Sequence, residues 1–396
     1  MVGTLAILVS AAILLARGNG RAAGTPFVPG DDLQVLERVP ARRTDPGARE
    51  MDELRVALAS DPTNVDYAAA FARRNIEESR ATSDPRFLGH AQAALAPWWG
   101  APSPPPGVRL LRATIRQSLH DFDGALADLT LLCRETPDDP QAWLTRAVVL
   151  TVRGEYLEAR RSCEPLSRLA GKLVAAQCVA VIDSLTGQAK RAYQSLRAAY
   201  AEERAPTPSE ANWILSSLGE IAVRAGDDAA GEADYRSALA ANRHDAYTLS
   251  AYADLLLERG RPAEVLPLLR GHENDDGLLL RLTLAEKATG DSTTEKHVDM
   301  LRARHRASRA RGDVVHRREQ ARFALQLEGD PASALELATA NWGVQREPSD
   351  ARVLLESGLS ARRPEAADAV VEFLAAHHAE EPRLVALAAR VRERRP

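Results

Sequence analysis

Apolar and small residues recur at three- and four-residue steps along most of this chain, in blocks separated by short polar turns. The stretch from Pro140 to Gly171 shows the pattern most clearly. Trp143, Leu144, Ala147 and Leu150 precede the turn Arg153-Gly154-Glu155-Tyr156, and Ala159, Cys163 and Leu166 follow it. Such spacing predicts two amphipathic helices folded back on each other. Ala147 and Ala159 are small where two helix backbones must approach closely, while Trp143 and Leu150 fill the wedge beside them. No alternating run long enough for a strand stands out, so the expected fold class is all-α.

The block repeats. Ala125 and Ala159 lie 34 residues apart, and Ala159 and Ala192 lie 33 apart. Helix pairs are expected at 64–80 with 85–96, from 108 with 123–137, at 140–171, at 173–185 with 189–201, and at 213–225 with 228–241. Further pairs are expected at 247–259 with 262–270, 278–289 with 294–309, 313–327 with 332–342, and 351–361 with 364–378. A half-unit at 47–59 and an amphipathic helix at 383–394 are placed to cover the two ends. The bulky-small first helix and small-bulky-small-Pro second helix resemble the tetratricopeptide repeat, a helix-turn-helix unit of about 34 residues. That resemblance covers residues 47–394, is strongest over 108–201 and 213–270, and implies a right-handed α-α superhelix of about nine pairs.

Composition fits thin helical layers, with 45% hydrophobic residues but only 5% aromatics. Charge is balanced, 51 Lys+Arg against 55 Asp+Glu. Without a clustered basic stripe, a nucleic-acid partner is not expected. Lysine occurs only at 172, 190, 287 and 296, which we read as the mark of a GC-rich bacterial genome. Val2 to Ala16 is an uncharged apolar run, short for a membrane span and of the size of a signal-peptide core. Gly20-Arg21-Ala22 offers a cleavage site, whereas Arg17 and Arg21 follow the run rather than precede it. The expected organisation is therefore a signal peptide or anchor (1–23), a linker (24–46) with a short helix near 32–38, and degenerate repeats (47–100). A Pro-rich connector (101–107) and a regular solenoid (108–395) follow. Trp98-Trp99 is expected to plug the gap where the Pro run interrupts the stack.

Candidate chemistry is sparse. His377 and His378 are adjacent and point about 100° apart on a helix, and His297 and His305 have a poor ligand spacing, so solvated side chains and no metal site are expected. No catalytic motif string is present, and neither an enzymatic activity nor a cofactor is expected. Cys163 and Cys178 flank Gly171 almost symmetrically. They are either a disulfide across a hairpin in an oxidising compartment or two small core fillers.

In repeat superhelices of this kind the first helix of each pair lines a concave groove. That assignment gives Leu110, Thr114, Gln117, Leu144, Val148, Thr151, Gln177 and Val181 in the N-terminal half. Trp213, Glu220, Arg224, Tyr247, Asp254 and Glu258 follow in the centre. A neutral entrance leading into an acidic, aromatic-bearing centre suits an extended or helical peptide segment. The Lys, Asn and Arg by which tetratricopeptide co-chaperones grip C-terminal carboxylates are replaced here by Leu110, Thr114, Leu144 and Val148. The expected function is a non-enzymatic protein-binding scaffold or assembly factor of the bacterial cell envelope, periplasmic or anchored in the inner membrane through its N-terminus alone. The alternative is a cytoplasmic regulator or sensor that binds a signalling peptide or small ligand.

Overall fold

The structure, a computed structural model, describes residues 46–394 other than Ser83, Arg311 and Asp313. The expectations for residues 1–45 lie outside that range. The chain opens with α1 (Pro46–Ser60), then pairs α2 (Val65–Thr82) with α3 (Arg86–Ala94). A single turn, α4 (Ala96–Trp99), leads to α5 (Pro106–Ser118) and α6 (Phe122–Glu135). Next come α7 (Pro140–Val152) with α8 (Tyr156–Cys163) and its continuation α9 (Leu166–Leu169), then α10 (Lys172–Leu185) with α11 (Ala189–Glu202). The middle holds α12 (Pro208–Arg224) with α13 (Asp228–Ala241), α14 (Ala246–Glu258) with α15 (Pro262–Leu269), and α16 (Asp276–Thr289) with α17 (Thr294–Ala310). Then α18 (Arg317–Phe323) runs through a π-helical stretch (Ala324–Glu328) toward α19 (Pro331–Trp342). The last pair is α20 (Pro348–Ser360) with α21 (Asp368–Ala376), and α22 (Pro382–Glu393) ends the stack. Among the described residues the chain is thus an all-α, tetratricopeptide-like solenoid of helix pairs stacked in chain order.

Local chemistry starts and stops these helices. Asp121, Asp139, Asp227, Asp245, Asp275 and Asp330 accept from backbone N–H groups of the first turn of α6, α7, α13, α14, α16 and α19. Thr207 and Glu210 close a capping box on α12. Proline stands at the first turn of α5, α7, α12, α15, α19, α20 and α22, where its missing N–H costs nothing. From α5 onward the first helices end in one left-handed residue, with a 6→1 hydrogen bond around it in all but the π-helical case. Examples are Glu155 N to Leu150 O (2.8 Å), Asp227 N to Ala222 O (2.9 Å) and Arg261 N to Leu256 O (2.9 Å). Glycine holds the left-handed position at 154, 187, 226, 260, 290 and 329; His120 and Arg362 hold it in two other pairs. At the π-helical stretch the bond lengthens by one residue, from Asp330 N to Ala324 O.

The core is a chain of small clusters, each shared by neighbouring pairs. Ala147, Leu150, Tyr156, Ala159 and Leu166 form one with Cys163 and Cys178, and Leu196, Ile214, Leu218 and Ala238 belong to the next. A disulfide joins Cys163 to Cys178, with Cα atoms 5.8 Å apart. The break at Trp98-Trp99 is a short helix rather than a bare turn, and the Pro run ends inside α5 because Pro106 sits at its first position. Trp98 and Trp99 pack on the N-terminal core, and their carbonyls accept from Arg112 Nη1 (3.2 and 2.8 Å).

The C-terminal pairs do more than extend the stack: they turn back onto the rim formed by the turns that follow α7, α10, α12 and α14. Arg346 N donates to Val152 O (2.8 Å), and Val344 packs on the cluster of Ala113, Phe122, Ala125, Leu129 and Val149. Glu380 Oε2 accepts from Ala189 N (2.9 Å), supplying the N-terminal cap that Gln188 does not give α11. A Cβ on Gly154 would stand 2.7 Å from the Phe373 ring, and one on Gly187 would stand 3.0 Å from His378 Cβ. Bare backbone at these turns is what lets the second turn of the superhelix settle on the first.

Two stability measurements check this account. Closing a loop of 15 residues, the Cys163–Cys178 bridge constrains the unfolded chain. Replacing both with Ser is expected to lower the unfolding free energy in urea by about 3 kcal/mol. Gly219 on α12 faces the Tyr235 ring, 2.6 Å from where a Cβ would lie. Gly219→Ala is expected to cost about 1–3 kcal/mol through overpacking, although alanine is the better helix former.

Candidate functional site

First helices of successive pairs lie side by side and present one shared face, and the ion pairs of the structure trace it. Asp254 on α14 receives Arg281 of α16 (2.6 Å) and Arg322 of α18 (2.7 Å). Glu258, one turn further along α14, pairs with Arg352 of α20 and with Arg383 of α22 (3.1 Å). Those two arginines also hold Glu356, at 3.0 and 3.2 Å. Arg318 reaches Glu319 (3.1 Å), Glu347 (2.8 Å) and the buried Asp350 (3.4 Å). On the α12 side, Glu220 accepts from the Tyr247 hydroxyl (2.6 Å) and from Arg224 (3.2 Å), and Arg224 also donates to Ser184 Oγ (3.0 Å).

This wall is electrostatically settled. Burial alone would raise the Asp254 carboxyl, but Arg281, Arg322 and Arg352 hold it well below the usual carboxylate range. Glu319 is likewise raised by burial and lowered further by Arg318 and Arg281, ending at about 2. The centre expected to be acidic and open is therefore a lattice of paired charges. Asp254 and Glu258 are paired with arginines that arrive from pairs further along the chain, whereas burial keeps the Asp350 and Glu381 carboxyls raised.

Two apolar side chains among the expected groove residues stay uncovered. Val148 on α7 is 42% exposed and Tyr247 on α14 is 59% exposed. Its surroundings, then the nearby Glu220 and Glu347 carboxylates, push the Tyr247 hydroxyl well above the ordinary tyrosine range. Other expected groove residues are occupied. Leu110 and Leu144 pack partly into the cores, and Trp213 is half-buried beside Leu196 and Ile214. Thr114 and Thr151 turn their hydroxyls back onto Leu110 O (2.9 Å) and Ala147 O (2.8 Å). Gln177 is buried on Ser217 Oγ (3.1 Å), while Gln117 and Val181 are half-buried.

Where the C-terminal pairs meet the rim, a cleft of about 390 Å³ including its open mouth remains between Tyr156, Leu185, Arg224, Arg346, Phe373 and Glu381. Phe373 and His377 pack on Tyr156 with ring centres 5.9 and 4.7 Å away. His377 is thus half-buried rather than solvated, and burial beside Arg346 holds its imidazole below the ordinary range. His378 is exposed. His297 and His305, expected on the surface, are buried instead. His297 Nδ1 bonds the buried Glu286 (2.9 Å), and His305 stacks edge-on against Phe323 (4.9 Å) because α17 turns that face toward α16 and α18. Among the described residues no group of His, Cys, Asp and Glu is arranged to hold a metal ion, and no helix is long and apolar enough to cross a membrane.

Arg281, Arg318, Arg322, Arg352 and Arg383, which dominate the wall, escape a reading of single repeats. Arg281 on α16 stands opposite Asp254 of the preceding first helix, whereas Arg352 on α20 reaches Glu258 of α14 from three pairs further along.

No protein-family model matches the chain, and no curated protein matches it. Solved structures similar to it include the APC/C hetero-tetramer Cut9-Hcn1, at 14% identity over 87% of this chain and 66% of that chain, with a TM-score of 0.48. Yeast Tom70 is similar at 11% identity over 87% and 85% of the two chains, with a TM-score of 0.42. A human IFIT1 dimer with PPP-AAAA is similar at 11% identity over 89% and 95%, with a TM-score of 0.45. At these values the likeness says nothing of what this chain binds.

Because the Glu319 carboxyl is lower in the folded chain than its ordinary 4.5, its contribution to stability is complete above pH 4.5 and lost as pH falls toward about 2. Acid unfolding followed by circular dichroism is expected to steepen across that window. In Glu319→Gln the stability at neutral pH is expected to drop and the acid limb to flatten.

Proposed function

We propose that this chain is a non-enzymatic scaffold that binds a segment of another protein along the inner wall of its superhelix. The observation that carries the reading is the pair of uncovered apolar side chains, Val148 and Tyr247, on inner helices whose charges are already paired. A partner segment would bury these two side chains without having to desolvate unpaired acids, and a few such anchors supply most of the energy in interfaces of this kind. Charged contacts at the rim of the wall would then set the register of the segment. Inner ionisable groups engaged in ion pairs are poorly suited to proton transfer, which supports a binding role rather than a catalytic one.

We place the scaffold in the bacterial cell envelope, exported or held at the inner membrane through residues 1–23. Two features support this: the apolar run from Val2 to Ala16, and the Cys163–Cys178 bridge, which suits an oxidising compartment. On this reading its task is to assist assembly of an envelope complex.

Crosslinking and capture from native membranes tests the proposal. The unchanged chain, a Val148→Asp and Tyr247→Ala double variant, and an outer-face control, Leu157→Ala, are compared side by side. Capture by the double variant is expected to fall by about tenfold or more, as for loss of two anchor residues, while the control is unaffected. Equal capture by all three would move the binding surface off the inner wall.

A further inference from the structure

We propose that the cleft at the rim is a binding site for a small monocarboxylate with an apolar body, its carboxylate received by the Tyr156 hydroxyl and the Arg346 guanidinium. The site lies apart from Val148 and Tyr247, so it does not rest on the groove reading above.

The tyrosine carries the argument. Tyr156 opens α8 and is only 6% exposed, its ring fixed in the cluster of Ala147, Leu150 and Ala159 and against Phe373 and His377. A phenol buried this deeply ordinarily bonds a neighbour. This hydroxyl has no hydrogen-bond partner among the described residues. The charged groups near enough to act on it, Arg224, Glu347 and Arg346, all line the cleft, so the hydroxyl opens into that space. Burial pushes it up to about 12, and at neutral pH it keeps its proton and remains a donor.

Two of those three charged groups are already engaged. Arg224 holds Glu220 (3.2 Å) and Ser184 Oγ (3.0 Å), and Glu347 is held by Arg318 (2.8 Å). Arg346 has no acid partner among the described residues; its guanidinium lies over the Phe373 ring, 5.8 Å from the centre. Its place is nonetheless set, because its backbone N–H donates to Val152 O (2.8 Å) and its Cδ lies over the bare turn at Gly154. One positive charge and one phenolic donor, both without protein partners, thus serve the same cleft. A carboxylate answers both, accepting from each in charge-assisted bonds that a neutral group cannot match. Such a head needs little room, and the chain behind it can lie on the apolar lining of Leu185, Phe373 and Leu374.

The acids of the cleft limit what fits. Glu380 is engaged by Ala189 N (2.9 Å). Glu381 is absent from the groups that act on Tyr156 and stands instead among Arg224, Arg352, Arg383 and Glu220, at the other end of the cleft. Burial raises its carboxyl. A second negative charge on the ligand would be brought toward this acid away from water, so a dicarboxylate is rejected where a monocarboxylate is held.

Ligand-observed NMR on the full chain tests the site with valerate, its neutral amide and glutarate, the dicarboxylate of the same chain length. Valerate is expected to bind with about millimolar affinity, in keeping with so few atoms. Valeramide and glutarate are each expected to bind about tenfold more weakly or worse. Tyr156→Phe keeps the ring and removes only the hydroxyl; it is expected to weaken valerate about tenfold, as is Arg346→Gln. Arg243→Gln, an exposed arginine between α13 and α14, is expected to change nothing. Far-UV circular dichroism of all three variants should match that of the unchanged chain. Should Arg346→Gln disturb the packing at the rim, Tyr156→Phe alone carries the test. Equal binding of the three probes, no valerate binding at about tenfold higher concentration, or an affinity unmoved by Tyr156→Phe would overturn the proposal. Each of those outcomes leaves the binding role of Val148 and Tyr247 untouched.

Discussion

The structure depends on how each first helix ends. A left-handed residue wrapped by a 6→1 hydrogen bond reverses the chain in the shortest space available, and glycine is what most often allows it. The same glycines then serve a second purpose. At Gly154 and Gly187 the absent Cβ is the space into which Phe373 and His378 settle from the far end of the chain. One residue choice thus satisfies a local turn and a contact that spans about half the protein. A side chain at either position would strain the turn and hold the superhelical turns apart.

Charge does in the interior what apolar burial does between neighbours. Ion pairs across the inner wall join α14 to α16 and α18, which share a core cluster with it, and also to α20 and α22, which do not. Such partly buried pairs add little net stability once desolvation is counted, but removing one partner strands the other charge, so they penalise every alternative register. Arg352 and Arg383, each shared between Glu258 and Glu356, fix how far the C-terminal pairs can slide along the rim. The lattice also leaves few charges on this wall for a visitor to neutralise. What remains for recognition is shape and the two bare apolar side chains.

Much of this was open to reading from the chain. Periodic Ala, Leu and Val with Asp, Thr and Pro before each block are local signals, and local physics answers them: caps, first-turn prolines and small residues at close helix crossings all act within a few residues. Hence the helix pairs fall where the spacing puts them. The packing of Trp98 and Trp99 on the N-terminal core is equally local. Tryptophan carbonyls held by Arg112 stabilise a short helical turn that the Pro run alone would not suggest.

By itself the sequence determined the element type, the pairing order and the thin Ala-lined packing, because each follows from interactions between residues close in the chain. It placed Val148 and Tyr247 among fourteen candidates for the inner face, without distinguishing them from the rest. Only the tertiary structure decided that the acids at 254 and 258 are paired, that His297 and His305 are buried, and that the far end folds back onto the rim. Those outcomes depend on superhelical curvature, the sum of small rotations over many repeats. A small change at each step alters which distant residues meet, and no single repeat carries that information.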